Sequence, residues 1–179
     1  MVTYDKRLKE KTYRYFLYNK PPGIETVNPQ PGTQAIADMI NLPPGVVPIG
    51  RLDRDTMGLI ILTDDTLLQK ILLDPLHHVP KEYLISTQKD LSDDDLVALE
   101  QGVRIDGEAT KPAIVKRLAP DHISLTITEG RNRQVRKMCR AVNNHVVKLK
   151  RVKIGKVTLG HLSMGEMKEV KRKDIVDSI

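Results

Sequence analysis

The stretch GRLDRDTMGLIILTDD, residues 50–65, constrains the fold most, because it sets four alternating charges between two apolar runs. The runs are VVPI just before the stretch and LIIL inside it, and the second is typical of a buried strand. The charges are Arg51, Asp53, Arg54 and Asp55. Charged groups beside a buried strand are costly unless they are paired or used. The segment is therefore a salt-bridged turn, a metal site or the reacting part of an enzyme.

Strand-like segments outnumber helix-like segments in the remaining sequence, and short turns often join them. The patterns predict strands at residues 13–20, 59–63, 81–88, 111–118, 122–130 and 145–160. They predict helices at residues 33–42, with Thr33 as a cap, and at 64–75, 92–103 and 131–144. This arrangement indicates an α+β domain on a largely antiparallel or mixed sheet, rather than a doubly wound parallel sheet.

Basic residues are concentrated in one part of this 179-residue chain, which carries a net charge of +6. Residues 130–156 contain no acid and ten bases, which are Arg131, Arg133, Arg136, Lys137, Arg140, Lys148, Lys150, Arg151, Lys153 and Lys156. A stretch of one sign over this length favours a surface that faces a polyanion such as nucleic acid. The alternative is a solvated basic helix and strand without a partner.

The sequence also carries signals of cellular location. No apolar run approaches the roughly 18–20 residues of a membrane span, and the first residues lack the apolar segment of a signal peptide. The single Cys139 excludes an internal disulfide and indicates a reducing compartment. We therefore expect a cytoplasmic protein with no membrane partner.

Several kinds of chemistry do not fit the residue pattern. There is no glycine-rich phosphate loop, and the five histidines lack metal-ligand spacing. Asp53 and Asp55 resemble the D-x-D-x-T loop of aspartate-nucleophile phosphatases, but Thr56 follows Asp55 directly, and a calcium loop does not continue past Asp55. A third option is an aspartate that acts beside an arginine on a nucleobase flipped out of its stack.

Four segments carry a family resemblance: NKPPGI (19–24), GRLDRDTMG (50–58), KEYLIS (81–86) and EGRNRQVRKMCRAVNNHVVKLKRVKIG (129–155). Together they resemble the motifs of RNA pseudouridine synthases, in the RsuA-type branch that modifies ribosomal RNA. They follow the family's order over about residues 15–160. The resemblance implies the pseudouridine synthase catalytic fold over residues 13–179, after an extension of residues 1–12. That fold has a mixed, mostly antiparallel central sheet, flanking helices and a central RNA-binding cleft.

The resemblance also implies roles for single residues. Asp53 matches the catalytic aspartate, and Arg51 matches the arginine that fills the gap left by the flipped nucleotide. Tyr83 matches the tyrosine that packs on the target base and assists the late proton transfer. Arg136 matches the arginine that pairs with the aspartate. We expect Asp55 to be structural, and we assign RNA contacts to Lys20, Arg54, Arg131, Arg133, Lys137, Arg140, Lys150 and Arg151.

The implied activity is the isomerisation of a specific uridine to pseudouridine in ribosomal RNA, with 23S favoured over 16S. The family uses no cofactor and no catalytic metal, and we expect a monomer whose partner is ribosomal RNA. Many members of the branch carry an N-terminal S4 domain. Only about a dozen residues precede the implied catalytic fold here, so we expect RNA affinity to come from the catalytic domain's own basic face. The alternative function is a catalytically silent RNA-binding or ribosome-assembly module.

Overall fold

The structure, a computed structural model, describes residues 12–176, so most of the expected extension 1–12 and the last three residues lie outside it. Eleven strands are present among the described residues: β1 (Tyr15–Lys20), β2 (Val47–Pro48), β3 (Met57–Thr63), β4 (Lys81–Thr87), β5 (Arg104–Ile105), β6 (Glu108–Ala109), β7 (Ile114–Ala119), β8 (His122–Ile127), β9 (Val146–Ile154), β10 (Val157–Thr158) and β11 (Met167–Val170).

The helices in the same range are short. They are α1 (Ile36–Met39), α2 (Thr66–Leu73), α3 (Asp93–Gln101), α4 (Gln134–Ala141) and α5 (Arg172–Val176). Asp65 caps α2 and Ser92 caps α3, because their side chains accept hydrogen bonds from backbone N–H groups in the first turn. None of the helices in residues 12–176 is long and apolar enough to cross a membrane.

A single large sheet contains nine of the described strands. Its order is β11–β1–β3–β9–β4–β8–β7, with β2 beside β3 and β10 beside β9, while β5 and β6 form a separate ribbon. The β3–β9 pair is parallel, and the other strand pairs of the described sheet are antiparallel. The prediction of an α+β fold on a mixed, mostly antiparallel sheet is confirmed.

Strand β3 is the buried strand that the LIIL run predicts. Its four residues from Leu59 to Leu62 are each at most 1% exposed. Leu59 and Ile61 pack into the apolar cluster that contains α2, whereas Ile60 and Leu62 pack on the other face with Phe16 and Tyr18. Since burying one such side chain contributes about 1.5–3 kcal/mol, β3 is a major source of stability.

The two sides of the sheet meet where β3 pairs with β9, over only Met57–Lys150 and Gly58–Arg151. Gly58 has a φ of +108°, and a Cβ added there would overlap the backbone of Arg151. After Gly58 the backbone pairing of β3 with β9 ends, and a side chain takes over: Nε of Arg151 donates a hydrogen bond of 2.9 Å to the carbonyl oxygen of Leu59. A residue without a side chain is therefore required for this close approach.

All four predicted helices are shorter in the structure, and the first and the last of them differ most. The helix predicted at 33–42 covers only Ile36–Met39, because the backbone of residues 34–36 pairs with Glu25 instead. Thr33 is not its cap, since its hydroxyl donates to the carbonyl oxygen of Gln30. The helix predicted at 131–144 begins at Gln134, because Arg133 has the left-handed φ of 50° and ends the preceding turn.

Lys20 is fully buried, so its assignment as an RNA contact is wrong. Its Nζ donates to the carbonyl oxygens of Pro21 at 2.8 Å and Arg54 at 3.3 Å. The N–H of Gly23 donates to the same Arg54 oxygen at 2.8 Å. Lys20 therefore ties the end of β1 to the charged loop before β3, and burial lowers its pKa to about 8.

We expect Gly58→Ala to lower the free energy of unfolding by at least about 3 kcal/mol, because it adds both a left-handed alanine and a backbone overlap. Urea denaturation followed by circular dichroism measures the change. Gly130→Ala is the matched control, since Gly130 has an ordinary φ and open space around its Cα. A Gly58→Ala protein as stable as the control would contradict the close approach.

The lowered pKa of Lys20 predicts a pH effect on stability. Above about pH 8 the folded protein releases the Lys20 proton, while the unfolded chain keeps it up to about pH 10.4, so stability rises with pH in that window. We expect urea midpoints measured from pH 7.5 to 9.5 to rise more steeply for the wild type than for Lys20→Met. Parallel curves for the two proteins would contradict the prediction.

Candidate active site

The loop of residues 50–56 is fixed by its one apolar member. Leu52 is buried in the cluster beneath α4 and β4. Its backbone is held by Thr26, whose hydroxyl donates to the Leu52 carbonyl oxygen at 2.7 Å and accepts from its N–H at 3.0 Å. Because the side chains on either side of the buried Leu52 point away from it, Arg51 and Asp53 face the cleft beside the loop. Asp53 remains about one third exposed.

Two arginines at the start of helix α4 reach this loop. Arg133 ends the turn just before α4, and Arg136 lies in the first turn of the helix. The Arg133 Nη2 and the Arg136 Nη2 each lie 3.1 Å from Oδ2 of Asp55. Burial opposes ionisation of Asp55, but the hydrogen bond from Arg133 and the charge of Arg136 outweigh it and lower the pKa of Asp55. Asp55 is thus the structural acid that the sequence predicts.

The ion pair expected between Arg136 and Asp53 is not the one in the structure. Arg136 pairs with Asp55, and its guanidinium also donates to the carbonyl oxygens of Asp55 at 3.2 Å and Val146 at 3.4 Å. These bonds hold Arg136 beneath the loop, two residues past the proposed catalytic acid. The arginine nearest Asp53 is Arg133, whose Nη1 lies 3.5 Å from its carboxylate. Arg133 was expected only to contact RNA.

A cleft of about 520 Å³ opens beside the loop, within the usual size range of small-ligand sites. Its lining includes all three predicted catalytic residues, together with Arg51. Tyr83 projects from β4, where it lies opposite Leu125 on one neighbouring strand and Arg151 on the other. At 8% exposure, Tyr83 offers a largely buried ring with access to the cleft.

The basic residues of β9 divide between the two faces of the sheet. Successive side chains of a strand alternate, so Leu149 and Arg151 face one way while Lys148 and Lys150 face the other. Arg151 is only 4% exposed and lines the cleft, so it is not the surface RNA contact that was expected. Lys150 is on the opposite face and does not reach the cleft.

The remaining predicted RNA contacts lie around the rim. Arg131 lines the cleft and donates to the carbonyl oxygen of Ala109 at 2.6 Å. Lys137 forms an ion pair with Asp106. Arg54 and Arg140 are exposed, and neither forms an ion pair with an acid in the described part of the chain.

Lys81 lines the cleft and was missed in the sequence. Its Nζ donates to the carbonyl oxygen of Val79 at 3.0 Å. Burial lowers the pKa of Lys81, and the charge of Arg151 lowers it further. The signal was present in KEYLIS, because residues two apart on a strand share a face, which places Lys81 beside Tyr83.

Comparisons with known proteins identify the family of this chain. The sequence profile of the family described as RNA pseudouridylate synthase matches residues 14–141. The ribosomal small subunit pseudouridine synthase A of Escherichia coli K12 is 38% identical over 146 residues, which are 79% of this chain and 63% of that protein. The ribosomal large subunit pseudouridine synthase B of Bacillus subtilis is 40% identical over 145 residues, which are 76% of this chain and 59% of that protein.

A solved structure described as a pseudouridylate synthase has the same fold. It superimposes with a TM-score of 0.87 at 35% identity and covers 94% of this chain and 74% of the other. The chain spans less than two thirds of the length of the two curated relatives. The family profile covers well over half of the chain, and both curated relatives exceed 30% identity. The chain therefore belongs to the RNA pseudouridylate synthase family.

Proposed function

We propose that this protein isomerises a uridine of ribosomal RNA to pseudouridine. The observation that carries the proposal is the cleft itself, which places the Asp53 carboxylate, the Tyr83 ring and the Arg136 guanidinium in one lining. Membership of the family and two relatives named for the ribosomal subunits support it. We further expect a monomeric, cytoplasmic enzyme that needs neither cofactor nor metal.

The reaction requires access to the sugar of one nucleotide. A base inside a duplex is out of reach, so the target uridine leaves its stack and enters the cleft. Tyr83 then presents a flat face on which the uracil packs. Arg51, exposed at the edge of the cleft, is long enough to occupy the space that the base has left.

Asp53 acts on the sugar or on the bond beside it. The N1–C1′ bond breaks, the uracil turns, C5 joins C1′, and the proton on C5 leaves. The carboxylate either attacks C1′ or removes a ribose proton, and both routes need an ionised acid at the cleft wall. Arg133, 3.5 Å from Asp53, holds the carboxylate there. Arg136 acts through Asp55 and the loop backbone, which makes it a positioning residue.

The choice between the two ribosomal RNAs stays a prediction. Resemblance of the VVPIGRLDRDT, KEYLIS and TKPAIVKRL segments favours the large-subunit RNA. The relatives carry both names, small subunit at 38% identity and large subunit at 40%. Unmodified 16S and 23S transcripts are therefore both tested as substrates.

We expect Asp53→Asn to lower pseudouridine formation at least about 100-fold, because the amide neither attacks carbon nor accepts a proton. Pseudouridine is mapped by carbodiimide labelling and primer extension on both transcripts. Asp90→Asn, at an exposed acid, is the control and should retain full activity. Equal product from Asp53→Asn would refute its role. Tight RNA binding with no product from the wild type would favour the silent binding module.

We expect Arg136→Met to lower turnover and Arg140→Met to weaken RNA binding. The Arg136 side chain is 10% exposed and bonded within the protein, so its loss should reduce turnover of bound RNA and change affinity less than about threefold. Arg140 is exposed, so its loss should weaken binding and lower the salt dependence of binding by about one phosphate contact. Single-turnover rates and filter binding at several salt concentrations separate the two. Weaker binding with normal turnover in Arg136→Met would contradict the positioning role.

A further inference from the structure

Two cations, Lys81 and Arg151, lie in the cleft without a neutralising acid. Within residues 12–176 neither forms an ion pair with a carboxylate. Three acids line the same cleft, and each lies near another base; a ring nitrogen of His77 is 3.8 Å from the carboxylate of Asp74. Asp53 lies against Arg133, and Glu129 lies 3.5 Å from Arg131. The Nη2 of Arg151 has no hydrogen-bond partner among the described residues. Buried polar groups are normally satisfied, so this nitrogen of Arg151 requires an explanation. The Lys81 ammonium donates to a neutral acceptor, the carbonyl oxygen of Val79.

The two cations flank the tyrosine that we expect to carry the base. Lys81 and Tyr83 are two residues apart on β4 and share a face. Tyr83 is directly opposite Arg151 on β9. The ammonium, the phenol and the guanidinium therefore line one wall of the cleft, and any ring packed on Tyr83 has a cation near its edge.

Holding these charges together costs free energy in the empty protein. Arg151 is 4% exposed, and burial together with the charge of Arg151 disfavours protonation of Lys81. Two like charges in a partly buried site destabilise each other. A negatively charged group bound beside both cations would relieve this repulsion, and no carboxylate of the described residues forms an ion pair with either.

The depth of the site argues for the base rather than for a phosphate. Exposed arginines lie at the edge of the cleft, where Arg51 is exposed and the Arg133 side chain is 40% exposed. Lys81 and Arg151 are more deeply buried. A flipped nucleotide enters base first, since its phosphates remain joined to the rest of the RNA at the surface. The deeper cations therefore meet the uracil ring.

We propose that Lys81 and Arg151 bind the carbonyl oxygens of the target uracil and stabilise the charge that the ring acquires during the reaction. When the N1–C1′ bond breaks, its electron pair stays on the uracil and spreads to O2 and O4. The ring then uses an electron pair to form the C5–C1′ bond. Loss of the C5 proton restores the C5=C6 bond, and N1 gains a proton. This inference rests on the proposed function.

The test compares Lys81→Met with Lys81→Arg, which keeps the charge, and with Lys116→Met at an exposed position on β7. Single-turnover rates are measured on the ribosomal transcript that the wild type modifies. We expect Lys81→Met to be about 100-fold slower, the size of effect seen when one charge-stabilising donor is removed. RNA affinity should change less than twofold, Lys81→Arg should recover most of the rate, and Lys116→Met should match the wild type.

The melting temperature gives a readout that a structural role would not produce. Since the Lys81 charge is disfavoured in the empty protein, Lys81→Met should melt no lower than the wild type. A variant that melts well below the wild type would overturn the proposal. If Lys81 bound a phosphate instead, Lys81→Met would bind RNA more weakly and with a smaller salt dependence, while turnover of bound RNA stayed normal. That result would also overturn the proposal.

A substrate analogue tests the charge on the ring directly. An oligonucleotide that spans the modified site carries a single 5-fluorouridine, whose fluorine withdraws electrons and stabilises the departing uracil. Consumption of this base by Lys81→Met should lag the wild type by much less than 100-fold, whereas an equal lag on both substrates would contradict charge stabilisation. No product from the wild type on either ribosomal RNA would refute the proposed function itself, while normal wild-type product with an unchanged Lys81→Met rate would refute only the cation pair.

Discussion

The close approach of β3 to β9 at Gly58 is the constraint on which the rest of the structure depends. Two pairs of residues make this parallel contact, and it joins the strands that carry the charged loop to the strands that carry Tyr83 and Arg151. Because the two backbones touch without an intervening side chain, direct backbone contact sets the separation of the two sides of the cleft. The proposed reaction requires this distance between the charged loop and the strands that carry Tyr83 and Arg151.

Ion pairs also connect the loop before β3 to the start of α4. The loop of residues 50–56 leads into β3, whose side chains pack in other apolar clusters than α4 does. Leu52 of the loop packs in the same cluster as α4. Asp55 accepts from both Arg133 and Arg136, so one carboxylate connects the loop to the helix. Exposed salt bridges contribute little, but Arg136 is buried and makes two further backbone bonds. The contact fixes orientation more than it adds stability.

Much of the fold was predictable because it follows from local pattern. The LIIL run, the alternation in HISLTI and the capped starts of α2 and α3 are signals carried by neighbouring residues. The partner of each arginine was not predictable, because Asp53 and Asp55 differ by two positions and only the packed position of α4 decides between them. The burial of Lys20 had no local signal either, since it depends on a turn that folds over Arg54. The divided faces of β9 were implicit in its period of two.

Arg133, the residue just before α4, has a strained backbone conformation. Arg133 has a φ of 50°, a conformation that costs a residue with a Cβ about 1–3 kcal/mol and that glycine or asparagine adopts more readily. A change to either residue would relieve this cost, yet it would remove the ion pair to Asp55 and the cation nearest Asp53. At this position a more favourable backbone conformation and the proposed chemistry require different residues. Selection for stability alone would therefore replace Arg133 and reduce activity.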